Sequence, residues 1–280
     1  MKSLFDKISF ECSKNITRTY STSFAAGIRF LDKSLHQHIY AIYGFVRLAD
    51  EIVDSFHDYN KSHLIAKFRQ ETVEAIESKI SLNPVLNSFQ YTVSQFKIEW
   101  DLIDSFLKSM EMDLSKIEYS QQNYNNYIYG SAEVVGLMCL KVFSQGNQNL
   151  YNKLKPYAIK LGSAFQKVNF LRDLKADFQD LGRIYFPNIN FETFTNEQKI
   201  EIENEIGIEF DEALIGIKML PKSSRIGVLL AFMYYKKLFN RIKSLPIHTI
   251  RTERIRISNF NKIALTFEIL LKQKLNPSYI

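Results

Sequence analysis

Apolar residues recur every three or four positions along almost the whole chain, and strict alternation of apolar and polar residues is rare. That period gathers apolar side chains on one face of an α-helix. It predicts helices over about 3–17, 23–30, 33–58, 61–80, 84–97, 100–116, 121–144, 148–179, 196–219, 223–243 and 257–274. Pro84, Pro156, Pro187, Pro221 and Pro246 fall near the expected breaks, as suits a residue with no amide hydrogen. The stretch 180–195, DLGRIYFPNINFETFT, is the one long segment without a helical period. No segment has the composition of a linker, and no internal repeat is visible. The expected fold is all-α, with one domain spanning 1–280.

Two of the predicted helices carry polar stripes. In YAIYGFVRLADEIVD, residues Tyr40, Tyr43, Arg47, Asp50 and Asp54 are spaced three, four, three and four apart, and so share one helical face. Apolar Ala41, Ile42, Phe45, Val46 and Leu48 surround them. A surface helix would place its charges opposite the apolar face, so this arrangement suggests the wall of a cavity. In GSAFQKVNFLRDLKAD, residues Gly162, Gln166, Asn169, Asp173 and Asp177 repeat the pattern beside Phe165, Val168, Phe170 and Leu171. Each stripe ends in Asp-x-x-x-Asp, which sets two carboxylates one turn apart. One such pair is commonly a solvated face. Two, extended in register by further polar residues, suit Mg²⁺, a hard cation that takes one or two carboxylates together with substrate phosphates and water.

Composition narrows the classes. The 280 residues include 22 Phe and 15 Tyr but a single Trp, which fits either a Phe-rich core or a long apolar cavity lined by rings. The net charge of +6 is spread along the chain, with a modest cluster at Arg251, Arg254 and Arg256. A nucleic-acid partner is therefore not expected, whereas anionic small substrates or an anionic lipid surface are. Two cysteines, Cys12 and Cys139, suggest neither a disulfide framework nor a metal site. The expected setting is a reducing cytoplasm. The N-terminal MKSLFDKISFECSK is amphipathic, interrupted by Asp6 and Glu11, and lacks the apolar core of a signal peptide. It fits either a core helix or a helix lying on the inner face of a membrane. No window is long and apolar enough to predict a spanning helix.

These stretches resemble the phytoene and squalene synthases. YAIYGFVRLADEIVD is similar to that family's first aspartate motif with its upstream arginine, and QKVNFLRDLKADFQDLGRIYFP to its second motif and the following Arg-x-Tyr-x-Pro. YIYGSAEVVGLM resembles its Tyr-rich, small-residue helix, and YSTSF its Ser-x-Ser-Phe segment, so the likeness spans about 15–260. The resemblance is closest to bacterial phytoene synthase. It implies an isoprenoid synthase fold around a central cavity, with Mg²⁺ (or Mn²⁺) bound by Asp50, Asp54, Asn169, Asp173 and Asp177. It implies substrate contacts from Tyr20, Ser21, Thr22, Ser23, Tyr43, Arg47, Gln166 and Arg172, and an active-site tyrosine at Tyr127. The implied reaction joins two isoprenyl diphosphates head to head, with NADPH not expected for a phytoene product. A squalene or dehydrosqualene synthase acting on farnesyl diphosphate is the alternative, and a non-catalytic helical assembly factor a remote one.

Three positions depart from the family pattern: Glu133 where glycine is usual, Thr22 where some relatives have a basic residue, and His248 roughly where some have tyrosine. Several residues admit two readings. Arg47 fits an intrahelical ion pair or a diphosphate clamp, and Arg172 a structural ion pair or a substrate contact. Arg183 and Tyr185 in the 180–195 segment either close over the substrate or anchor the loop. Tyr40, Tyr43, Tyr127 and Tyr129 fit the core or a cation-facing wall. Ala25, Ala26, Gly27, Ala132 and Gly136 suggest room for a long substrate, or close helix packing.

Overall fold

The three- and four-residue periodicity becomes helix throughout, with no strand among the described residues. The computed structural model describes residues 2–115 and 120–275. The chain runs α1 (Lys2–Tyr20), α2 (Thr22–Ile28), α3 (Lys33–Asp54), α4 (Lys61–Ser78), α5 (Pro84–Phe96), α6 (Trp100–Met112) and α7 (Gln121–Ile128). A π-helical turn, Tyr129–Glu133, joins α7 to α8 (Val134–Ser144). Then follow α9 (Gln148–Gln179), α10 (Asn196–Met219), α11 (Lys222–Lys243), α12 (Ile247–Thr252) and α13 (Asn259–Leu275).

Local chemistry sets the boundaries. Ser21, Asp32, Asn60, Asn147 and Thr195 each accept a backbone amide at a helix start, and Thr195 and Gln198 form a reciprocal capping box. The helix expected over 33–58 stops at Asp54 because Asn60 starts α4, while Lys61 Nζ donates to the Val53 carbonyl at 2.9 Å and closes the end of α3. The end expected at 116 lies outside the described residues. The helix expected over 121–144 contains the wide π-turn, where the backbone is crowded. A Cβ on Gly130 would lie 2.5 Å from the Ser105 carbonyl oxygen, and one on Gly162 would lie 2.8 Å from that of Ala132. Pro156 marks no break: it lies within α9. α12 carries too few residues to show a period.

Two apolar clusters flank a central cavity. One gathers Phe45, Phe89, Phe106, Leu86 and Leu137 from α3, α5, α6 and α8, with the Phe45 and Phe89 rings stacked at 3.9 Å. The other gathers Val168, Phe170, Phe210, Leu230 and Phe239 from α9, α10 and α11. Each fully buried side chain of this size contributes about 1.5–3 kcal/mol. Cys12 and Cys139 are not bonded to each other, and no described helix is long and apolar enough to cross a membrane.

Candidate active site

α3 and α9 line the same cavity, and both change character along their length. Ile39 and Ile42 of α3, and Leu154, Ala158 and Leu161 of α9, line its apolar part. Asp50 and Asp54, then Asp173 and Asp177, line it at the C-terminal ends of the two helices. The cavity has a volume of about 670 Å³, within the range of small-molecule sites. Of the first stripe, Tyr43, Arg47, Asp50 and Asp54 face it, while Tyr40 is buried in the core. Of the second, Gly162, Gln166, Asn169, Asp173 and Asp177 all face it.

Two of the four stripe carboxylates, Asp50 and Asp177, are poorly neutralised. Burial, followed by the neighbouring Asp54 charge, pushes Asp50 up to about 8 despite Arg47. The 33 % of its side-chain surface that stays accessible opens into the cavity. Burial, then Asp173 and Asp54, likewise pushes Asp177 up to about 8. Four arginines share the same end. Arg47 pairs with Glu51, lies 3.9 Å from Asp50, sits over the Tyr20 ring at 4.3 Å, and leaves its buried Nε without a partner. Arg172 holds Asp173 through Nε at 3.0 Å, which adopts the ion-pair reading in this state. Arg254 reaches the same carboxylate at 2.7 Å. Arg183 donates to Asp54 at 2.9 Å and to the Asp113 carbonyl at 2.7 Å, so it links the 180–195 segment to α3.

The remaining polar groups form two networks. Tyr127 and Tyr185 donate to the two oxygens of Asp113 at 2.8 and 3.2 Å. Asp113 is buried, and burial pushes it up to about 6 against the pull of Arg183 and Tyr127. Across the cavity, Tyr235 donates to Asn169 Oδ1 at 3.2 Å, and Asn169 donates to Gln166 at 3.4 Å. Phe165 stacks on Tyr235 at 3.8 Å, and Phe24 tilts over Tyr43 at 5.8 Å. Burial pushes the Tyr43 phenol up to about 12.

Tyr20 and Ser21 line the cavity, but Thr22 and Ser23 do not. Ser21 is the cap of α2, so the next two residues turn away in its first turn, and Thr22 is exposed and accepts from Lys262 at 3.0 Å. Ala26 is likewise off the lining, whereas Gly27, Ala132 and Gly136 are on it. Glu133 and His248 do not line the cavity. Glu133 faces Glu209, Lys167 and Lys160 behind the wall, where burial, then Glu209, raises it to about 7. His248 is exposed on α12. Asp113, Arg254 and Tyr235 are site residues that the sequence reading did not assign.

The donor set fits divalent cations. Hard carboxylate oxygens from two helices meet at one end, and Asp50 and Asp177 are short of positive charge. Among the described residues, no three His, Cys, Asp or Glu side chains converge closely enough to hold a metal alone. Ligands shared with a phosphate suit that spacing, because Mg²⁺ commonly completes its shell with substrate oxygens and water.

Comparison with known proteins agrees with this geometry. The sequence pattern of the squalene/phytoene synthase family matches residues 17–204. Phytoene synthase of Arthrospira platensis is 26% identical over 261 residues, covering 84% of each chain. 4,4'-Diapophytoene synthase of Staphylococcus haemolyticus is 23% identical over 255 residues, covering 84% of this chain and 87% of that one. The crystal structure of a dehydrosqualene synthase in complex with ligand superposes with a TM-score of 0.81 at 22% identity, over 96% of this chain and 98% of that one. A squalene synthase from Alicyclobacillus acidocaldarius superposes with a TM-score of 0.73 at 19% identity, over 85% and 94%. With the family pattern matching most of its length, the chain belongs to the squalene/phytoene synthase family and is an isoprenyl transferase.

Proposed function

We propose that this protein condenses two geranylgeranyl diphosphates head to head into phytoene, through a cyclopropyl diphosphate. The observation that carries the reading is the pair of carboxylate stripes facing one end of an otherwise apolar cavity. Asp50, Asp54, Asn169, Asp173 and Asp177 would hold Mg²⁺ or Mn²⁺. The metal, when bound, neutralises a diphosphate so that it departs as a stable leaving group. Arg47, Arg172 and Arg183 then exchange carboxylate partners for phosphate oxygens, which a guanidinium matches in two-point geometry. Gln166 donates its amide to the same group, and Tyr20 and Ser21 border it.

The apolar part of the cavity excludes water, so the allyl cation meets the double bond of the second substrate and not a hydroxide. The faces of Phe24, Tyr43, Phe165 and Phe170 line the path and stabilise positive charge without acting as nucleophiles. Asp113 fixes the Tyr127 hydroxyl at the cavity wall. A phytoene product ends in proton loss and needs no reductant, so NADPH has no part in this reading. The longer substrate is supported by phytoene synthases among the relatives and by small lining residues: Gly27, Ala132, Gly136, Ala158, Gly216 and Gly227. Farnesyl diphosphate is the second reading, favoured by the likeness to 4,4'-diapophytoene synthase.

The test is release of inorganic diphosphate from geranylgeranyl diphosphate. Release is expected with Mg²⁺ and is expected to stop with chelator. Release unaffected by chelator would remove the metal from the account, and no release from either isoprenyl diphosphate would remove the reaction.

A further inference from the structure

The apolar part of the cavity ends at a ring that a glycine seats. On α9, Leu154, Tyr157, Leu161 and Phe165 are spaced three, four and four apart, and all four carry the cavity wall away from Asp173. Tyr157 lies about 24 Å along the helix from Asp173, at 1.5 Å per residue. Its side chain leans on α10 at Gly216. A Cβ on Gly216 would lie 2.2 Å from Tyr157 Cβ and 2.8 Å from its Cγ. Only a residue without a side chain lets the ring approach that helix so closely. At the other glycines of the cavity wall, Gly27, Gly136, Gly162 and Gly227, the nearest atoms belong to backbone, an alanine or a leucine.

The same ring closes the cavity toward α8. Tyr157 packs against the first apolar cluster, whose members Leu140, Phe143, Leu154 and Leu220 also line the cavity. α9 packs on both α8 and α10, so three helices meet at this end.

We propose that Tyr157 is the distal stop of the isoprenyl chain: its ring meets the last isoprene unit and sets the longest substrate that the enzyme joins. This rests on the isoprenyl reading of the cavity given above. The diphosphate is held at the Asp50 and Asp173 end, so chain length is measured from a fixed point. An aromatic ring has only two side-chain torsions, and with the Gly216 backbone behind it the ring has no room to retract. Leu154 lies one turn beyond Tyr157 and already borders the cavity. Removing the ring therefore adds length to the cavity and does not leave a sealed void.

Substrate competition tests it. Wild type, Tyr157→Ala, Tyr157→Phe and Tyr157→Trp are each given farnesyl, geranylgeranyl and geranylfarnesyl diphosphates with Mg²⁺, a series that grows by one isoprene unit at a time. Tyr157→Ala is expected to raise kcat/KM for geranylfarnesyl relative to geranylgeranyl diphosphate at least about tenfold, through KM. Tyr157→Trp is expected to shift preference toward farnesyl diphosphate by a similar factor. Tyr157→Phe keeps the ring and should keep the wild-type ratios. Unchanged ratios in both the alanine and the tryptophan variants, or an equal loss with all three substrates, overturn the proposal. If the alanine variant melts below the assay temperature, the tryptophan variant alone decides. Melting of the metal-free protein with farnesol, geranylgeraniol and geranylfarnesol reads the same length without the reaction. The most stabilising alcohol should lengthen by one unit in Tyr157→Ala and shorten by one in Tyr157→Trp. That pattern without turnover would leave the stop standing and remove the reaction, and turnover with ratios indifferent to residue 157 would do the reverse.

Discussion

Replacing Asp113 separates stability from placement at the active site. Its carboxylate accepts from Tyr127 at 2.8 Å and from Tyr185 at 3.2 Å, and lies 3.6 Å from Arg183. Burial pushes the group from 3.8 up to about 6. The folded chain thus holds this proton more tightly than the unfolded chain. The resulting stabilisation is complete below the unfolded value and is lost as pH rises through about 6. Between about pH 5 and about pH 8 that loss is about 1.4 kcal/mol. Asp113→Asn keeps an acceptor but does not titrate, so its stability should fall by about 1.4 kcal/mol less than wild type over that interval. Asp113→Ala removes the acceptor of two buried hydroxyls. At about 1–2 kcal/mol for each hydrogen bond to the carboxylate, it should cost about 2–4 kcal/mol. Urea unfolding followed by circular dichroism, at both pH values, reads these differences. Diphosphate release reads placement: the alanine variant should fall at least about hundredfold, because Tyr127 and Arg183 lose a common anchor. An alanine variant as stable and as active as wild type would refute this reasoning. An asparagine variant with the wild-type pH dependence would refute the electrostatic part.

Asp50→Asn and Asp173→Asn should each abolish turnover while leaving the helical circular dichroism intact, and near-normal turnover in either would contradict the metal assignment. In the metal-free protein, Asp50 and Asp177 are both raised to about 8, so their stabilising effect is present below 3.8 and lost as pH rises through about 8. The metal-free melting temperature should therefore fall between about pH 6 and about pH 8, and Mg²⁺ with inorganic diphosphate should flatten that fall. A metal-free melting temperature that rises over this interval would refute the assignment. Gly136 lines the cavity, but a Cβ there would sit 3.1 Å from the Ala158 carbonyl oxygen, so Cys139, one turn further on, is the better place to shorten it. With each buried methylene contributing about 0.8 kcal/mol, Cys139→Phe should shift competition from geranylgeranyl toward farnesyl diphosphate, and an unchanged ratio would contradict this.

Much of the site was legible because its two walls are long helices. Spacings of three and four placed Tyr43, Arg47, Asp50 and Asp54 on one face, and Gln166, Asn169, Asp173 and Asp177 on another, and both faces line the cavity. What the spacing could not supply was anything set by tertiary approach. Asp113 follows the end of α6, outside any periodic stripe, and gains its role only where Tyr127, Tyr185 and Arg183 reach it. Tyr235 is one of many aromatic residues on α11 until Asn169 is set opposite it. Arg254 was visible as part of a basic cluster, but its partner Asp173 lies 81 residues earlier. Thr22 and Ser23 were expected to contact substrate because the YSTSF segment resembles the family's Ser-x-Ser-Phe, but with Ser21 capping α2 neither residue lines the cavity. The π-turn escaped notice for a similar reason: the crowding at Gly130 comes from α6, which a one-dimensional period does not contain.

The most direct test is to identify by mass the hydrocarbon formed from geranylgeranyl and from farnesyl diphosphate, each with Mg²⁺, with and without NADPH. The account predicts phytoene from geranylgeranyl diphosphate, formed faster than any product of farnesyl diphosphate and unchanged by NADPH. Faster use of farnesyl diphosphate with a squalene-length product would contradict the assigned substrate, and no joined hydrocarbon from either would contradict the condensation itself.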